Sequence, residues 1–250
     1  MPFADNKGVK IHYEVEGEGE PIVLVHGFSQ NMHHWVNLRY VAALVPNYEC
    51  ILVDARGHGR SDKPHDPAAY SMQEKVDDII TILNDLDVHR AHFWGYAMGG
   101  VIGLGVATLG GDRFKSVVVG GAAPGPQPLE RFQELAGLLE NGMDPYLQTI
   151  APELRFGVRN NDHEALRATA LASAADPEFS LEMTIAPVLV YNGTEDPLVE
   201  RARAAAAKTP PIVHYAELPG LDHRMGFQRS DVVLPIVLPF LSKASRGALN

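Results

Sequence analysis

The stretch of sequence that decides the fold reads Gly95-Tyr96-Ala97-Met98-Gly99-Gly100. It follows a short apolar run at residues 91–94 and precedes a longer apolar segment at residues 101–109. A short apolar run that ends at glycine is typical of a strand buried on both faces, and the longer segment predicts a helix. The sequence therefore predicts a sharp strand-to-helix turn with glycines on both sides of position 97.

The same short apolar pattern recurs along the chain. It is found at residues 22–25, 50–53, 116–119, 188–191 and 212–216. Residues 9–16 alternate between apolar and polar side chains, which predicts a half-buried strand paired with residues 3–5 as a hairpin. The clearest helix begins at Ser71, where Glu74 three residues later completes a capping box. This alternation predicts a mostly parallel sheet with helices on both faces.

One long segment breaks the alternation. Residues 122–185 contain no strand candidate, begin with closely spaced prolines and continue with helical patterns at residues 129–139 and 163–174. Such a segment is too long for a plain loop. We predict a small helical cap at residues 122–185, placed over the carboxyl ends of the strands of a core formed by residues 1–121 and 186–250.

Length and composition narrow the function classes. A chain of 250 residues suits one domain with an insertion, and its formal net charge of −10 disfavours binding to nucleic acid. No apolar run is long enough to cross a membrane, and residues 1–8 do not resemble the start of a signal peptide. The single cysteine, Cys50, excludes an intramolecular disulfide and is expected in the core. A reducing compartment and a cytoplasmic location are therefore expected.

The turn at residues 95–99 matches the nucleophile elbow, G-x-S-x-G, at every position but the centre. Position 97 holds alanine, where that chemistry requires serine. Residues 26–28 follow the strand at 22–25, and the backbone N–H groups of Phe28 and Met98 are candidates for an oxyanion hole. A dinucleotide-binding loop is the alternative, but the G-x-G-x-x-G spacing is absent.

An acid and a base follow later strands. Asp196 comes after the run at residues 188–191 and is the candidate acid, with Glu195 beside it as the alternative. His223 comes after the last strand and is the candidate base. The order nucleophile, acid, histidine is that of α/β-hydrolases rather than of chymotrypsin or subtilisin.

Together these segments resemble the α/β-hydrolase-fold serine hydrolases of the esterase, lactonase and C–C hydrolase type. The matching segments are residues 26–28, 54–61, 95–99 and 193–196, and His223. The resemblance implies that Asp196 is the triad acid and His223 the general base. Asp222 departs from it, since the family usually has glycine before the histidine; this carboxylate either raises the pKa of His223 or points to solvent.

Three hypotheses account for Ala97. In the first, the chain is an engineered Ser→Ala variant of a hydrolase. In the second, it is a naturally non-hydrolytic ligand-binding module. In the third, it is an enzyme in which the His–Asp pair abstracts a proton without a nucleophile. The supporting parts of the site are intact, which favours the first. We therefore expect a carboxylic ester or lactone hydrolase that, as this chain, is nearly inactive.

Apolar residues near these positions are candidates for the substrate pocket, with ordinary core packing as the alternative. They are Tyr96, Leu198 and Met225 beside the site, and Met143, Tyr146, Leu147 and Phe156 in the cap. The expected partner is a small-molecule ester or lactone; the choice between linear esters, lactones, natural-product esters and C–C substrates stays open.

Several other polar residues are not expected to carry chemistry. No cofactor is expected, and His33 and His34 lack metal-ligand spacing, so no metal is expected. Ser29 lies off the elbow and is not expected to act as a nucleophile. His58 is expected to be structural.

Overall fold

The computed structural model describes residues 2–125, 129–152, 155–176 and 178–249. In these residues eight strands form one sheet. They are β1 (Phe3–Asn6), β2 (Val9–Glu16), β3 (Glu20–Val25), β4 (Tyr48–Val53), β5 (Ala91–Tyr96), β6 (Phe114–Gly120), β7 (Val188–Gly193) and β8 (Val213–Leu218). The strand order is β1-β2-β4-β3-β5-β6-β7-β8, antiparallel where β2 pairs with β1 and β4, and parallel elsewhere. The α/β hydrolase fold expected from the sequence is confirmed.

The described residues also form α-helices, most of which flank the two faces of the sheet. They are α1 (His33–Asn37), α2 (Tyr40–Leu44), α3 (Met72–Asp85), α4 (Met98–Leu109), α5 (Leu129–Leu138), α6 (Asp144–Thr149), α7 (Arg155–Val158), α8 (His163–Ala175), α9 (Val199–Ala206), α10 (Met225–Gln228) and α11 (Ser230–Ser245). Residues alternate between faces along each strand. Val23 and Phe93 therefore pack towards α3 and α4, whereas Leu24 and Trp94 pack towards α1, α2 and α11.

The predicted start of α3 is present, with one half of the capping box formed. The backbone N–H of Glu74 donates to Oγ of Ser71 at 3.3 Å. The Glu74 carboxylate does not return to the cap; it accepts hydrogen bonds from Asn6 and Lys7 at 3.4 and 2.9 Å. These contacts fix α3 against the hairpin of β1 and β2.

The segment between β6 and β7 contains α5 to α8; α5 and α8 match the predicted helical patterns, whereas α6 and α7 were not predicted. Leu139, Tyr146, Leu147 and Leu166 form a small apolar cluster of their own, and Phe28 packs against it. The segment thus covers the loop that follows β3. Its division from the rest of the chain as a separate cap stays a prediction. Within the described ranges, no helix has the length and apolar character needed to cross a membrane.

Candidate active site

The turn between β5 and α4 holds Ala97 in an unusual backbone conformation, with φ 51° and ψ −111°. Close approach of the backbone explains the glycines around it. A Cβ at Gly95 would lie 1.9 Å from the carbonyl oxygen of Gly99, and a Cβ at Gly99 would lie 2.1 Å from the carbonyl oxygen of Val25. Any larger residue at either position would therefore force the strand and helix apart.

Asp196 and His223 form a hydrogen-bonded pair. Nδ1 of His223 lies 2.8 Å from Oδ2 of Asp196, whose side chain is fully buried; the histidine is 30% exposed. Burial would raise the pKa of the Asp196 carboxyl, but hydrogen bonds from His223 and from the backbone N–H of Leu198 hold that pKa below its usual range. Glu195, the alternative acid, is exposed. The pair has the geometry of an imidazole oriented by a carboxylate.

Tyr96 fixes the loop that carries His223. The Tyr96 hydroxyl donates a hydrogen bond to the backbone carbonyl of His223, and the Tyr96 ring stacks on Phe227 with centroids 4.7 Å apart. Asp222 accepts a hydrogen bond from the backbone N–H of Met225 at 2.7 Å, at the start of α10. Sequence reasoning placed Tyr96 only in the pocket wall and missed this anchoring contact.

Two backbone donors lie beside position 97. Within the described residues, the N–H groups of Phe28 and Met98 donate to no protein group. The loop that holds Phe28 is a tight turn, in which the backbone N–H of Gly27 donates to the side chain of Gln30 at 3.1 Å. Both donors follow strand ends at the same edge of the sheet, as expected for an oxyanion-binding pair.

Ser29 connects this loop to the helices above it. Its Oγ is 2.9 Å from the hydroxyl of Tyr146 on α6, and its backbone carbonyl accepts a hydrogen bond from the side chain of Asn161 at 2.9 Å. Ser29 is buried and adopts a positive φ of 59°. The hydroxyl therefore holds the loop in place beneath the predicted cap.

Two fully buried histidines support the loop from the other side. His26 accepts a hydrogen bond from the backbone N–H of Ala55 at 3.2 Å and contacts the ring of His58. Burial lowers the pKa of His26 to about 4 and that of His58 to about 3, so both are neutral at pH 7. In the described part of the chain, no three side chains of His, Cys, Asp or Glu are grouped to hold a metal ion.

A cavity of about 680 Å³ opens over position 97. The predicted pocket residues that line this cavity are Tyr96, Tyr146 and Leu198. The predicted backbone donors Phe28 and Met98 line it too, as do Ala97 and His223. Three residues predicted to line the pocket do not line this cavity. Met143 and Leu147 pack in the apolar cluster of the segment between β6 and β7, and Met225 packs against core residues. The side chain of Phe156 lies outside the described part of the structure.

Sequence reasoning also missed charged residues in this cavity. Lys75 on α3 lines it, as do Arg131, Glu134 and Arg224. A signal for Lys75 was present, because position 75 lies on the face of α3 that carries the buried Met72 and Ile79. A lysine among apolar residues at helical spacing indicated a buried charge.

The chain belongs to the alpha/beta hydrolase family, whose model matches residues 22–236. Among solved structures it is similar to the enol-lactonase from Burkholderia xenovorans, with 25% identity and a TM-score of 0.85 over 96% of this chain and 100% of that one. Among curated relatives, a putative carbamate hydrolase, RutD, from Pseudomonas savastanoi is 30% identical over 76% of this chain and 81% of its own length.

A third relative matches only in part. The cis-3-alkyl-4-alkyloxetan-2-one decarboxylase of Shewanella oneidensis is 37% identical over 47% of this chain, and the match spans 37% of that protein's length. The relatives thus support a hydrolase of the ester and lactone type as the general class.

Proposed function

We propose that this site is that of a carboxylic ester or lactone hydrolase working through a Ser-His-Asp triad, with alanine replacing the nucleophilic serine at position 97. The observation that carries the proposal is the 2.8 Å pair of His223 and the buried Asp196, at the same cavity as a strained elbow. The acid, the base and two backbone donors near position 97 support the proposal. On this proposal, the chain lacks one oxygen atom of a complete triad.

The proposed chemistry follows from the roles of the groups. A serine Oγ at position 97 would attack the ester carbonyl while Nε2 of His223 takes its proton. Asp196 holds the imidazole through Nδ1 and stabilises its cation. The negative charge on the carbonyl oxygen is received by the N–H groups of Phe28 and Met98.

The second half of the cycle uses the same groups. His223 passes its proton to the leaving alcohol, and an acyl group stays bound to the serine. A water molecule then attacks this acyl-enzyme while His223 takes its proton; the bond between the acyl carbon and the serine Oγ breaks, His223 returns the proton to Oγ and the carboxylic acid leaves. The scheme uses no cofactor, and the proposed partner is a small-molecule ester or lactone.

The experiment that tests this proposal introduces a serine hydroxyl at position 97. Ala97→Ser should hydrolyse phenyl acetate or a small lactone at least on the order of 10³-fold faster than the Ala97 protein, because nucleophile and base act as a unit. Mass spectrometry after treatment with a fluorophosphonate should find one adduct, at position 97. Ala97→Ser combined with His223→Gln is the matched control and should show neither result.

Two outcomes would contradict the proposal. A folded Ala97→Ser protein that hydrolyses no ester or lactone and takes up no fluorophosphonate would favour a ligand-binding module. Hydrolysis at the same rate in the Ala97 protein would show that another group is the nucleophile; Ser29→Ala would then test a serine that lines the same cavity.

A further inference from the structure

A lysine is buried in the wall of the cavity. Lys75, on α3, lines the cavity although its side chain is only 4% exposed. Its Nζ lies 3.3 Å from Oδ2 of Asp176, whose side chain is 3% exposed. A charged pair removed from water adds little net stability, because the cost of desolvation offsets the Coulomb attraction. Stability alone therefore does not account for a lysine at this position.

The ammonium group of Lys75 has donors to spare. It carries three N–H groups, and within the described residues the carboxylate of Asp176 is its one hydrogen-bond acceptor. The nearby carboxylate of Asp78 is held by Arg56, whose Nε and Nη2 donate to it at 2.6 and 2.5 Å. Two donors of a buried cation are thus left for a group inside the cavity.

Lys75 is the buried member of the charged set that lines the cavity. The charged residues of the lining, within the described chain, are Lys75, Arg131, Arg224 and Glu134, and all but Lys75 are exposed. Burial lowers the pKa of Lys75 and Asp176 opposes that shift. An anion in the cavity would favour the charged lysine further.

The place of Lys75 in the fold indicates which part of a substrate it meets. α3 packs against β1 and β2, on one side of β5 in the sheet, whereas Asp196 and His223 follow β7 and β8 on the other side. In the proposed mechanism His223 gives its proton to the leaving alcohol, so the alcohol lies on the His223 side. In that arrangement the acyl group would extend away from His223, on the side of the cavity that Lys75 lines.

We propose that Lys75 binds a carboxylate on the acyl portion of the substrate. The site would then select half-esters of dicarboxylic acids, or lactones whose acyl chain bears a carboxylate. This inference rests on the proposed ester or lactone hydrolysis and specifies its substrate class. Asp176 positions the lysine and opposes the lowering of its pKa by burial.

The first test compares two phenyl esters of equal acyl length. Phenyl hydrogen glutarate ends in a carboxylate and phenyl pentanoate ends in a methyl group. Calorimetric titration of the Ala97 protein measures the Kd of each ester without depending on restored hydrolysis. We expect the glutarate ester to bind about tenfold to a hundredfold more tightly, because a charge-assisted hydrogen bond in a buried site has this effect on Kd. Equal Kd values for the two esters would overturn the proposal.

The second test changes the ion pair. Lys75→Gln combined with Asp176→Asn leaves no charge buried alone, and should weaken binding of the glutarate ester about tenfold or more while changing the pentanoate ester less than about twofold. Asp176→Asn alone should weaken binding of the glutarate ester and leave that of the pentanoate ester unchanged, because Lys75 loses the carboxylate that positions it and favours its charged form. Lys115→Gln is the matched control, since its lysine pairs with Glu20 outside the cavity and both Kd values should stay unchanged.

The outcomes separate this inference from the proposed function. Equal losses for both esters in the double variant would assign the ion pair a purely structural role and overturn the inference. If the double variant does not fold, the comparison of the two esters and the Asp176→Asn variant still decide. Selective glutarate binding together with an inactive Ala97→Ser protein would refute the proposed hydrolysis while the carboxylate site stands.

Discussion

Replacing Gly99 by alanine tests the elbow where two backbones come closest. The new Cβ would lie 2.1 Å from the carbonyl oxygen of Val25, whereas ordinary contact begins at 3.4 Å. The start of α4 would therefore have to move away from the end of β3 by the difference, about 1.3 Å. That movement would break the 3.1 Å hydrogen bond from the Gly99 N–H to the carbonyl of His26.

The expected magnitude follows from three opposing effects. Overpacking against a backbone atom costs about 1–3 kcal/mol or more, and the lost hydrogen bond costs about 1 kcal/mol. Alanine at a helical position returns about 1 kcal/mol through its better helix propensity. We therefore expect Gly99→Ala to lower the free energy of unfolding by about 1–3 kcal/mol.

Gly137→Ala is the matched control, because Gly137 lies in α5 and a Cβ there would meet nothing within 4 Å. This change should leave the free energy of unfolding unchanged or raise it by up to about 1 kcal/mol. Urea unfolding followed by circular dichroism, with the slope m checked for both variants, measures the two effects. A Gly99→Ala protein as stable as the control would refute the argument that backbone contact requires glycine at the elbow.

Two further predictions address the site and its pH dependence. In the Ala97→Ser background, Asp196→Asn should lower kcat roughly 10⁴-fold, because the imidazole loses its orienting carboxylate, whereas Glu195→Gln should change kcat little; exchanged outcomes would place the triad acid one residue earlier. Because burial holds the pKa of His26 at about 4 and of His58 at about 3, the unfolded chain takes up protons first as the pH falls below 6.5. The free energy of unfolding should then fall by roughly 2 kcal/mol per histidine between pH 7 and pH 5, and a flat profile in urea titrations would contradict this.

Local sequence patterns were sufficient for the sheet and for the order of the site residues. The apolar runs predicted at residues 22–25 and 91–94 lie within β3 and β5. The last strand was predicted at residues 212–216, whereas β8 runs from Val213 to Leu218. This edge strand is mostly half-buried, so its apolar pattern defines the ends of the strand less sharply. The placing of acid and histidine after successive strands followed from topology, since parallel strands end at the same edge of the sheet.

Contacts between distant parts of the chain were beyond these patterns. Lys75 and Asp176 are 101 residues apart, and only the packing of α3 near the end of α8 brings them together. The same limit explains why Met143 was placed in the pocket, since an apolar residue of a cap can face either the cavity or the cap's own cluster. Hydrophobicity alone does not distinguish these two environments.

The hydrogen bond between Ser29 and Tyr146 joins α6 to the loop that follows β3. Ser29 directly follows Phe28, so a displacement of α6 that broke this bond would remove one of the contacts that fix the backbone N–H of Phe28. Asn161 holds the same loop through the carbonyl of Ser29. The position of this N–H therefore depends on residues more than 100 positions further along the chain.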